Sequence, residues 1–349
     1  MPATLVRCVA CDNRFDPSNG YGEALEFCSE YCATNFFRCQ GCRSIFSHRD
    51  RSVRSGNTCR WCLRERFTYT PIGDAPHVGV EVEVESNGEE FDMAYSETLK
   101  ALPLNFATLK EDGSLSEYGF EIVSRPASYV EHVAAWRPFF AAFRSGKFGR
   151  LQAWSTGTCG LHVHICRNGG LNTLNPFNSP PNDIWQLSQH AQALLVCFVN
   201  LPRHRDFIQC MAGRDANSYT TFQKKRMATA AQRTGFKYEA VNLEHSNTLE
   251  FRIFKGTLKE QSFFKALEFV LALSEFCRAT YNVRKALSLS AFIRYVGDNA
   301  SKYPHLDSFI ANRWYGKRDR NGAAVWRLIN NRKPPRPPVD HGQTRTENN

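Results

Sequence analysis

The sequence predicts an α+β fold: an antiparallel sheet with helices packed on one face, preceded by a small cysteine-rich module. Two observations predict it. Short β-type segments, far apart in the chain, carry reactive side chains at alternate positions, and a cysteine-dense stretch stands ahead of them all. Gly79-Val80-Glu81-Val82-Glu83-Val84-Glu85 comes first, then Gly119-Phe120-Glu121-Ile122-Val123-Ser124. Cys159-Gly160-Leu161-His162-Val163-His164-Ile165 and Leu249-Glu250-Phe251-Arg252-Ile253-Phe254 follow. Successive strand side chains point to opposite faces, so Glu81, Glu83 and Glu85 share one face, as do His162 with His164 and Glu250 with Arg252. The intervening Val, Leu, Phe and Ile supply the core face.

The amino-terminal module, residues 1–67, holds eight of the 13 cysteines. Cys8-x2-Cys11 is followed after sixteen residues by Cys28-x3-Cys32, and Cys39-x2-Cys42 after sixteen more by Cys59-x2-Cys62. Four thiolates at such spacing suit tetrahedral zinc, which makes this a duplicated four-cysteine module with two structural zinc ions. One ion per repeat and a cross-braced pairing fit equally well, and His48 is not needed as a ligand. Arg38, Arg43, Arg49, Arg51, Arg54, Arg60, Arg64 and Arg66 crowd the second half, with Phe36, Phe37, Phe46 and Trp61 among them. Such a mixture either grips phosphates and stacks bases or is a small aromatic core with a solvated face. A protein-binding ribbon is the third reading.

Residues 68–76, with prolines and a glycine, read as a linker, and one large domain is expected over 77–330. Apolar residues recur at three- and four-residue spacing in 129–144, 183–200 and 260–278, which predicts helices there. The stretch 168–182 is rich in Gly, Asn, Ser and Pro and reads as a loop; the Pro-rich, polar 331–349 reads as a disordered tail. No strict βαβ rhythm is present, and the polar-apolar alternation suits an antiparallel sheet covered on one face.

At 349 residues the chain is long enough for a sizeable core. No apolar run reaches the length of a membrane span and the amino terminus does not begin a secretory signal, so no membrane association and a reducing, cytoplasmic setting are expected. The net charge of +10 favours a polyanionic partner: nucleic acid, nucleotide or an acidic substrate.

Three carboxylates about 6–7 Å apart on one strand face repel unless cations neutralise them. Glu81, Glu83 and Glu121 would suit Mg²⁺ or Mn²⁺, which bridges phosphates. His162 or His164 could complete the shell or contact a phosphate, and Arg252 could meet transferring phosphoryl oxygens. Together these residues point to phosphoryl chemistry with a nucleotide and a divalent metal. The turn Lys110-Glu111-Asp112-Gly113-Ser114-Leu115 could bring Asp112 and Ser114 to the same site, with Asn242 and Lys255 as lesser candidates. Each piece has a plain structural alternative: a charged edge strand, surface histidines, a same-face ion pair between Glu250 and Arg252. Cys159 reads as a small core residue before it reads as a nucleophile.

In these segments the region from about 77 to 260 resembles the amidoligase family, carboxylate–amine ligases of the glutamine synthetase-like and glutamate–cysteine ligase-like group. The matching stretches are Gly-Val-Glu-Val-Glu at 79–83, Lys-Glu-Asp-Gly-Ser-Leu at 110–115, Gly-Phe-Glu-Ile-Val-Ser at 119–124, Cys-Gly-Leu-His-Val-His-Ile at 159–165 and Leu-Glu-Phe-Arg-Ile-Phe-Lys-Gly-Thr-Leu at 249–258. The resemblance covers neither the cysteine module nor the final region. It implies a glutamine synthetase-like sheet and an enzyme that uses ATP to activate a carboxylate as an acyl phosphate, which an amine attacks. It would give Glu81, Glu83 and Glu121 to Mg²⁺, His162 and His164 to the phosphates, Glu250 and Arg252 to metal or the transferring group, and Asp112 and Ser114 to the substrates. Glu85 extends the family's pattern, and Arg125 stands between Ser124 and Pro126 where serine usually meets proline directly. Carboxylate and amine substrates, small or protein-borne, would be the partners, and association between copies is left open.

Two rivals come from other classes. An HUH-type nuclease would use His162 and His164 on a metal and Tyr219 or Tyr281 as nucleophile, but would leave the Glu81–Glu83 and Glu250–Arg252 pairs unexplained. A non-catalytic zinc adaptor would have no need of the polar strand faces.

Overall fold

A computed structural model describes residues 5–22, 25–38, 45–47, 76–103, 106–110, 112–167, 185–215, 217, 220–232, 237–280, 282–318 and 324–328. Among these the chain divides into two compact units, the first ending at Leu151 and the second beginning at Gln152. The architecture is α+β, and the strand pairs within each unit are antiparallel.

The first unit opens on a small module. Strands β1 (Val6–Arg7) and β2 (Arg14–Phe15) pair antiparallel, then helix α1 (Glu30–Asn35) starts where the Ser29 hydroxyl accepts the Cys32 amide. Strands β3 (Phe36–Arg38) and β4 (Ile45–Ser47) form a second pair. The core here is Cys8, Phe27 and Cys32, with Phe15, Phe36 and Ile45 packed against it. An apolar core of that size holds little structure alone, so a cross-link or metal is expected to complete it.

The rest of this unit runs β5 (Val78–Glu85), α2 (Phe91–Ala101), β6 (Ala107–Lys110), β7 (Gly119–Ser124) and α3 (Tyr129–Arg144). Strand order is β6-β7-β5. The register sets Val82 opposite Ile122 and Glu83 opposite Glu121. Period-two patterning then sorts the faces: Val80, Val82, Val84, Phe120 and Ile122 are buried on the core side. Helix α2 covers them through Tyr95, whose ring lies 5.3 Å from Phe120. Helix α3 is tied on by His132, whose Nε2 donates to the Val78 carbonyl at 2.8 Å while its Nδ1 accepts from Trp136. A capping box starts α3: the Ser128 hydroxyl accepts from the Glu131 amide, and the Glu131 carboxylate accepts from the Ser128 amide.

The second unit contains β8 (Gly160–Cys166), α4 (Gln189–Asn200), α5 (Arg205–Ala212), β9 (Val241–Asn242), β10 (Thr248–Lys255), α6 (Glu260–Ala279), α7 (Val283–Ala286), α8 (Leu289–Asp298) and α9 (Pro304–Arg313). A hairpin of β11 (Trp314–Arg318) and β12 (Ala324–Leu328) follows. Strand order is β8-β10-β9. Leu161, Val163, Ile165, Leu249 and Phe251 are fully buried on one face. Behind them α4 and α6 are buried along most of their length, packing on each other, with α5 against α4 and with α8 and α9 against α6. Phe292 of α8 is the hub, its ring within 5.2 Å of Phe198, 5.6 Å of Phe276 and 5.8 Å of Phe269.

Helix α3 spans the predicted 129–144, and α6 runs one residue past the predicted 260–278. The predicted 183–200 helix begins only at Gln189, because the Ser188 side chain caps it by accepting the Ala191 amide. The predicted linker (apart from residue 76), the 168–182 loop and the tail lie outside the described residues.

Replacing Ser128 with Ala should remove the capping box and cost about 1 kcal/mol, read as a lower denaturation midpoint with an unchanged m-value.

Candidate active site

In the first unit the reactive face of β5 and β7 gathers carboxylates. One oxygen each from Glu83, Asp112 and Glu121 lies within 4.8 Å of the others. Glu83 and Glu121 are there because they are register partners, both buried. Asp112 is there because the turn after β6 is an Asx turn: its Oδ1 accepts the Ser114 amide at 2.7 Å and its carbonyl accepts the Leu115 amide. Ser114 itself is exposed, and its described hydrogen bond is this backbone one. Glu81 lies one step along the same face, opposite Val123. Glu85 accepts the Ser116 amide and so braces the turn. Burial, then the charges of Glu81, Glu83 and Asp112, push the Glu121 pKa up to about 9 even though Lys110 works against them. A carboxyl pushed toward protonation among other carboxylates has the chemistry of a candidate cation site: hard oxygen donors whose repulsion a divalent ion would relieve.

In the second unit the polar face of β8 and β10 is built around Glu250, which is 2% exposed. Its Oε2 accepts from Asn242 Nδ2 at 2.7 Å and lies 3.1 Å from His245 Nε2. Its Oε1 accepts from Arg252 Nη1 and lies 3.6 Å from His162 Nδ1. Burial works to raise its pKa, but the His245 hydrogen bond and the positive field of His164, His162 and Arg252 overcome it and hold it down to about 2. Glu250 is therefore a fixed anion that orients cations. The Asn242 amide serves Glu250 with its nitrogen and the Glu244 backbone with its oxygen.

Strand β10 carries a bulge. Its register against β8 shifts by one residue between Phe251 and Phe254, so Arg252 and Ile253 together oppose His162. Lys255 consequently pairs with Gly160, on the His162 side of the sheet, and its Nζ lies 4.7 Å from the centre of the Trp154 ring. Burial and then Arg214 lower its pKa. Arg252 lies over Tyr238 at 5.9 Å.

His245, Trp154 and Tyr238 had no signal in the sequence, since none sits in an alternating segment. His245 is half-exposed at the edge of the cluster, its ring 5.3 Å from that of His164. Arg125 pairs with Glu131 at 3.1 Å and stacks on Phe106, binding the start of α3 to its own strand. Cys159 is buried against Gly256, where an added Cβ would come within 2.9 Å of the Cys159 Cβ, so it is a packing residue. Tyr219 and Tyr281, the nuclease candidates, lie outside the described residues.

In the small module the ligand sulfurs of Cys8, Cys11, Cys28 and Cys32 lie within 4.8 Å of one another. The Cys11–Cys28 and Cys28–Cys32 separations of 3.5 and 4.0 Å bracket the edge of about 3.8 Å that a tetrahedron of 2.3 Å Zn–S bonds requires. Burial works against the Cys8 thiolate, yet amides of Cys28, Ala10 and Cys11 aimed at its sulfur pull its pKa down to about 6. The four thiols of the first repeat thus converge with one another. Cys39, Cys42, Cys59 and Cys62 lie outside the described residues, as do Trp61 and every arginine of the basic run except Arg38. Arg38 pairs with Glu26 at 2.7 Å, and Phe37 is buried beside Phe46.

The chain resembles a bifunctional glutathione synthetase from Pasteurella multocida, at 11% identity over 68% of this chain and 46% of that one, with a TM-score of 0.36. It also resembles a novel glutamine synthase homolog (15% identity, 68% of this chain and 66% of that one, TM-score 0.34). A third likeness is to the ligase PafA in complex with the prokaryotic ubiquitin-like protein Pup (10% identity, 72% and 54%, TM-score 0.29). The chain spans between 46% and 66% of the lengths of these structures. No family model matches the chain, and no curated protein matches it. No helix among the described residues is long and apolar enough to cross a membrane.

Two outcomes follow from the opposed carboxyls. Ionising Glu121 is unfavourable in the fold, so metal-free stability should fall as pH rises from about 4.5 to about 9. Millimolar Mg²⁺ or Mn²⁺ should reverse this, raising Tm at pH 8 with release of a proton, and Glu121→Gln should abolish both effects in thermal shift and calorimetry. Glu250 has the opposite sign: its contribution is in force above about pH 4.5 and is lost as pH falls toward about 2. Glu250→Gln should cost about 3–5 kcal/mol at pH 7, because Arg252 loses its buried anion, and the deficit should shrink across that acid window in denaturant titrations.

Proposed function

We propose that this chain is an ATP-dependent carboxylate–amine ligase with a glutamine synthetase-like sheet, working through an acyl phosphate. The observation that carries the reading is the cluster of buried Glu83 and Glu121 with half-buried Asp112, which has a structural cost that divalent metal–nucleotide chemistry would offset. Glu83, Asp112 and Glu121, with Glu81 beside them, would hold Mg²⁺ or Mn²⁺. When bound, such an ion supplies charge neutralisation on ATP phosphate oxygens and orients them.

The chain's own residues would do the rest. In the first half-reaction a substrate carboxylate oxygen attacks the γ-phosphorus of ATP, the bond to the β-phosphate oxygen breaks, and ADP leaves. Arg252, held by the fixed anion Glu250, would offer its guanidinium to the transferring phosphoryl group, and His162 would stiffen the same network. In the second, an amine attacks the acyl carbon, phosphate leaves, and a proton must depart from the nitrogen. The half-exposed His245, already hydrogen-bonded to Glu250, is the group placed to receive it, with His164 against its ring. Lys255 would attract an acidic co-substrate. Asn242 would orient Glu250, and Ser114 would shape the turn that presents Asp112.

The module of residues 1–67 would carry structural zinc, one ion on Cys8, Cys11, Cys28 and Cys32 and a second on Cys39, Cys42, Cys59 and Cys62. Its role would be to recruit a protein or polyanionic partner to the catalytic region of residues 77–330. A cytoplasmic, reducing setting would keep those cysteines available as thiolate ligands.

The test is Mg²⁺-dependent release of ADP and phosphate from ATP with pools of amino acids and amines. Wild type should turn over, and Glu83→Gln should lose at least about 100-fold in kcat. Absence of nucleotide binding, with single-stranded DNA cleavage that survives Glu83→Gln, would replace the ligase with a nuclease.

A further inference from the structure

A bulge solves one problem for β10 and creates another. It brings Lys255 to the same face as Arg252 although the two are an odd number of residues apart, but it takes Arg252 and Ile253 out of the regular ladder. Buried carbonyls displaced in this way need other donors. Arg214 supplies them. Its Nε donates to the Ile253 carbonyl at 3.2 Å, and its Nη2 donates both to the Arg252 carbonyl and to Thr220 Oγ1, the latter at 2.8 Å. The fully buried Thr220 hydroxyl in turn donates to the same Arg252 carbonyl at 2.9 Å, and the Arg252 amide donates to the Ala240 carbonyl. One guanidinium thus holds the carbonyls of both bulged residues.

The approach of Arg214 is itself built in. Helix α5 ends at Gly213 in the left-handed region, φ 77°, which turns the next residue away from the helix axis. Gly213 also packs on Trp154: a Cβ there would lie 2.5 Å from the indole ring. Trp154 is the ring beneath the Lys255 ammonium. The segment Gly213–Arg214 therefore braces the bulge at its carbonyls and Lys255 through the indole.

The geometry points to Arg214 as a positioning residue, which locks the β10 bulge and thereby aims Arg252 and Lys255 together onto the reactive face. Its kinetic consequence rests on the ligase reading; its structural consequence does not. A planar fork is required, because a single ammonium cannot span the two carbonyls and the hydroxyl.

The full chain is tested as wild type, Arg214→Met and Arg214→Lys, with folding checked by circular dichroism and thermal melts. The structural readout is the Trp154 fluorescence signal, isolated by subtracting the spectrum of a Trp154→Phe background. Both Arg214 variants should shift it in the direction produced by Lys255→Met. The kinetic readout is ATP turnover: kcat should fall about 100-fold with KM for ATP nearly unchanged, since Arg252 acts on the transferring group. Arg214→Lys should not rescue it, and adding Arg214→Met to Arg252→Met should cause no further loss. An unchanged Trp154 signal, rescue by lysine, or additive losses would overturn the assignment. Should the wild type not turn over ATP, the ligase reading falls and the Trp154 signal alone decides for or against the brace. Should Arg214→Met not fold, Thr220→Val removes one donor to the Arg252 carbonyl and must shift both readouts the same way, or the assignment fails.

Discussion

The pairing of Glu83 with Glu121 is the constraint on which the reactive face depends. Period-two alternation and antiparallel register put like charges directly opposite each other on a buried surface, an arrangement that destabilises a sheet by itself. A sequence serving only stability would place a base there. Instead the next turn adds a third acid, and its backbone is organised to keep that acid in place: the Ser114 amide fixes Asp112, while the Ser116 amide draws Glu85 away from the group. Lys110, the register partner of Glu121 on β6, offsets part of the repulsion, yet the pKa of Glu121 still stands near 9. The cluster is short of positive charge, which is the physical content of calling it a candidate cation site.

The second unit solves the same problem within the protein. Glu250 is as deeply buried as Glu121, but imidazoles, an amide and a guanidinium converge on it, and its pKa goes down instead of up. Environments that push two carboxyl groups in opposite directions mark opposite duties. Glu250 cannot usefully exchange protons near neutrality, so it serves as an anchor. At the outer end of this network His245 is half-open to solvent.

Strand faces were legible in the sequence because burial and alternation act on the same period. The valines of β5, the histidines of β8 and the Glu250–Arg252 pair all stand on the faces that counting by two assigns them. Lys255 shows where counting fails: the bulge adds a residue to β10, so the face of everything after Ile253 is inverted, and nothing in Phe-Arg-Ile-Phe announces it. Asp112 was legible as a turn residue, but its grouping with Glu83 and Glu121 depends on register across strands, which local pattern does not encode. His245 and Trp154 lie in irregular segments where no period exists to be read. Helix α2 escaped notice for a different reason. Its polar residues dilute the apolar stripe, and only packing of Phe91 and Tyr95 on Phe120 shows which side is inward.

The cysteine module obeys the opposite economy. Its apolar core is so small that two of the three central buried residues are themselves thiols, Cys8 and Cys32. The same residues that would bind metal are then the residues that pack, so binding of a metal there would be coupled to folding of this segment. That dual use limits what its neighbours can do. Phe37 is buried and Phe36 packs on the thiol core, while Arg38 is engaged by Glu26, which leaves none of these three as an open base-stacking or phosphate-gripping group. Because so small a core cannot enclose them all, apolar side chains (Leu5, Val6, Val9, Tyr21, Leu25 and Tyr31) stand exposed among charged ones such as Arg7, Asp12, Arg14 and Glu30.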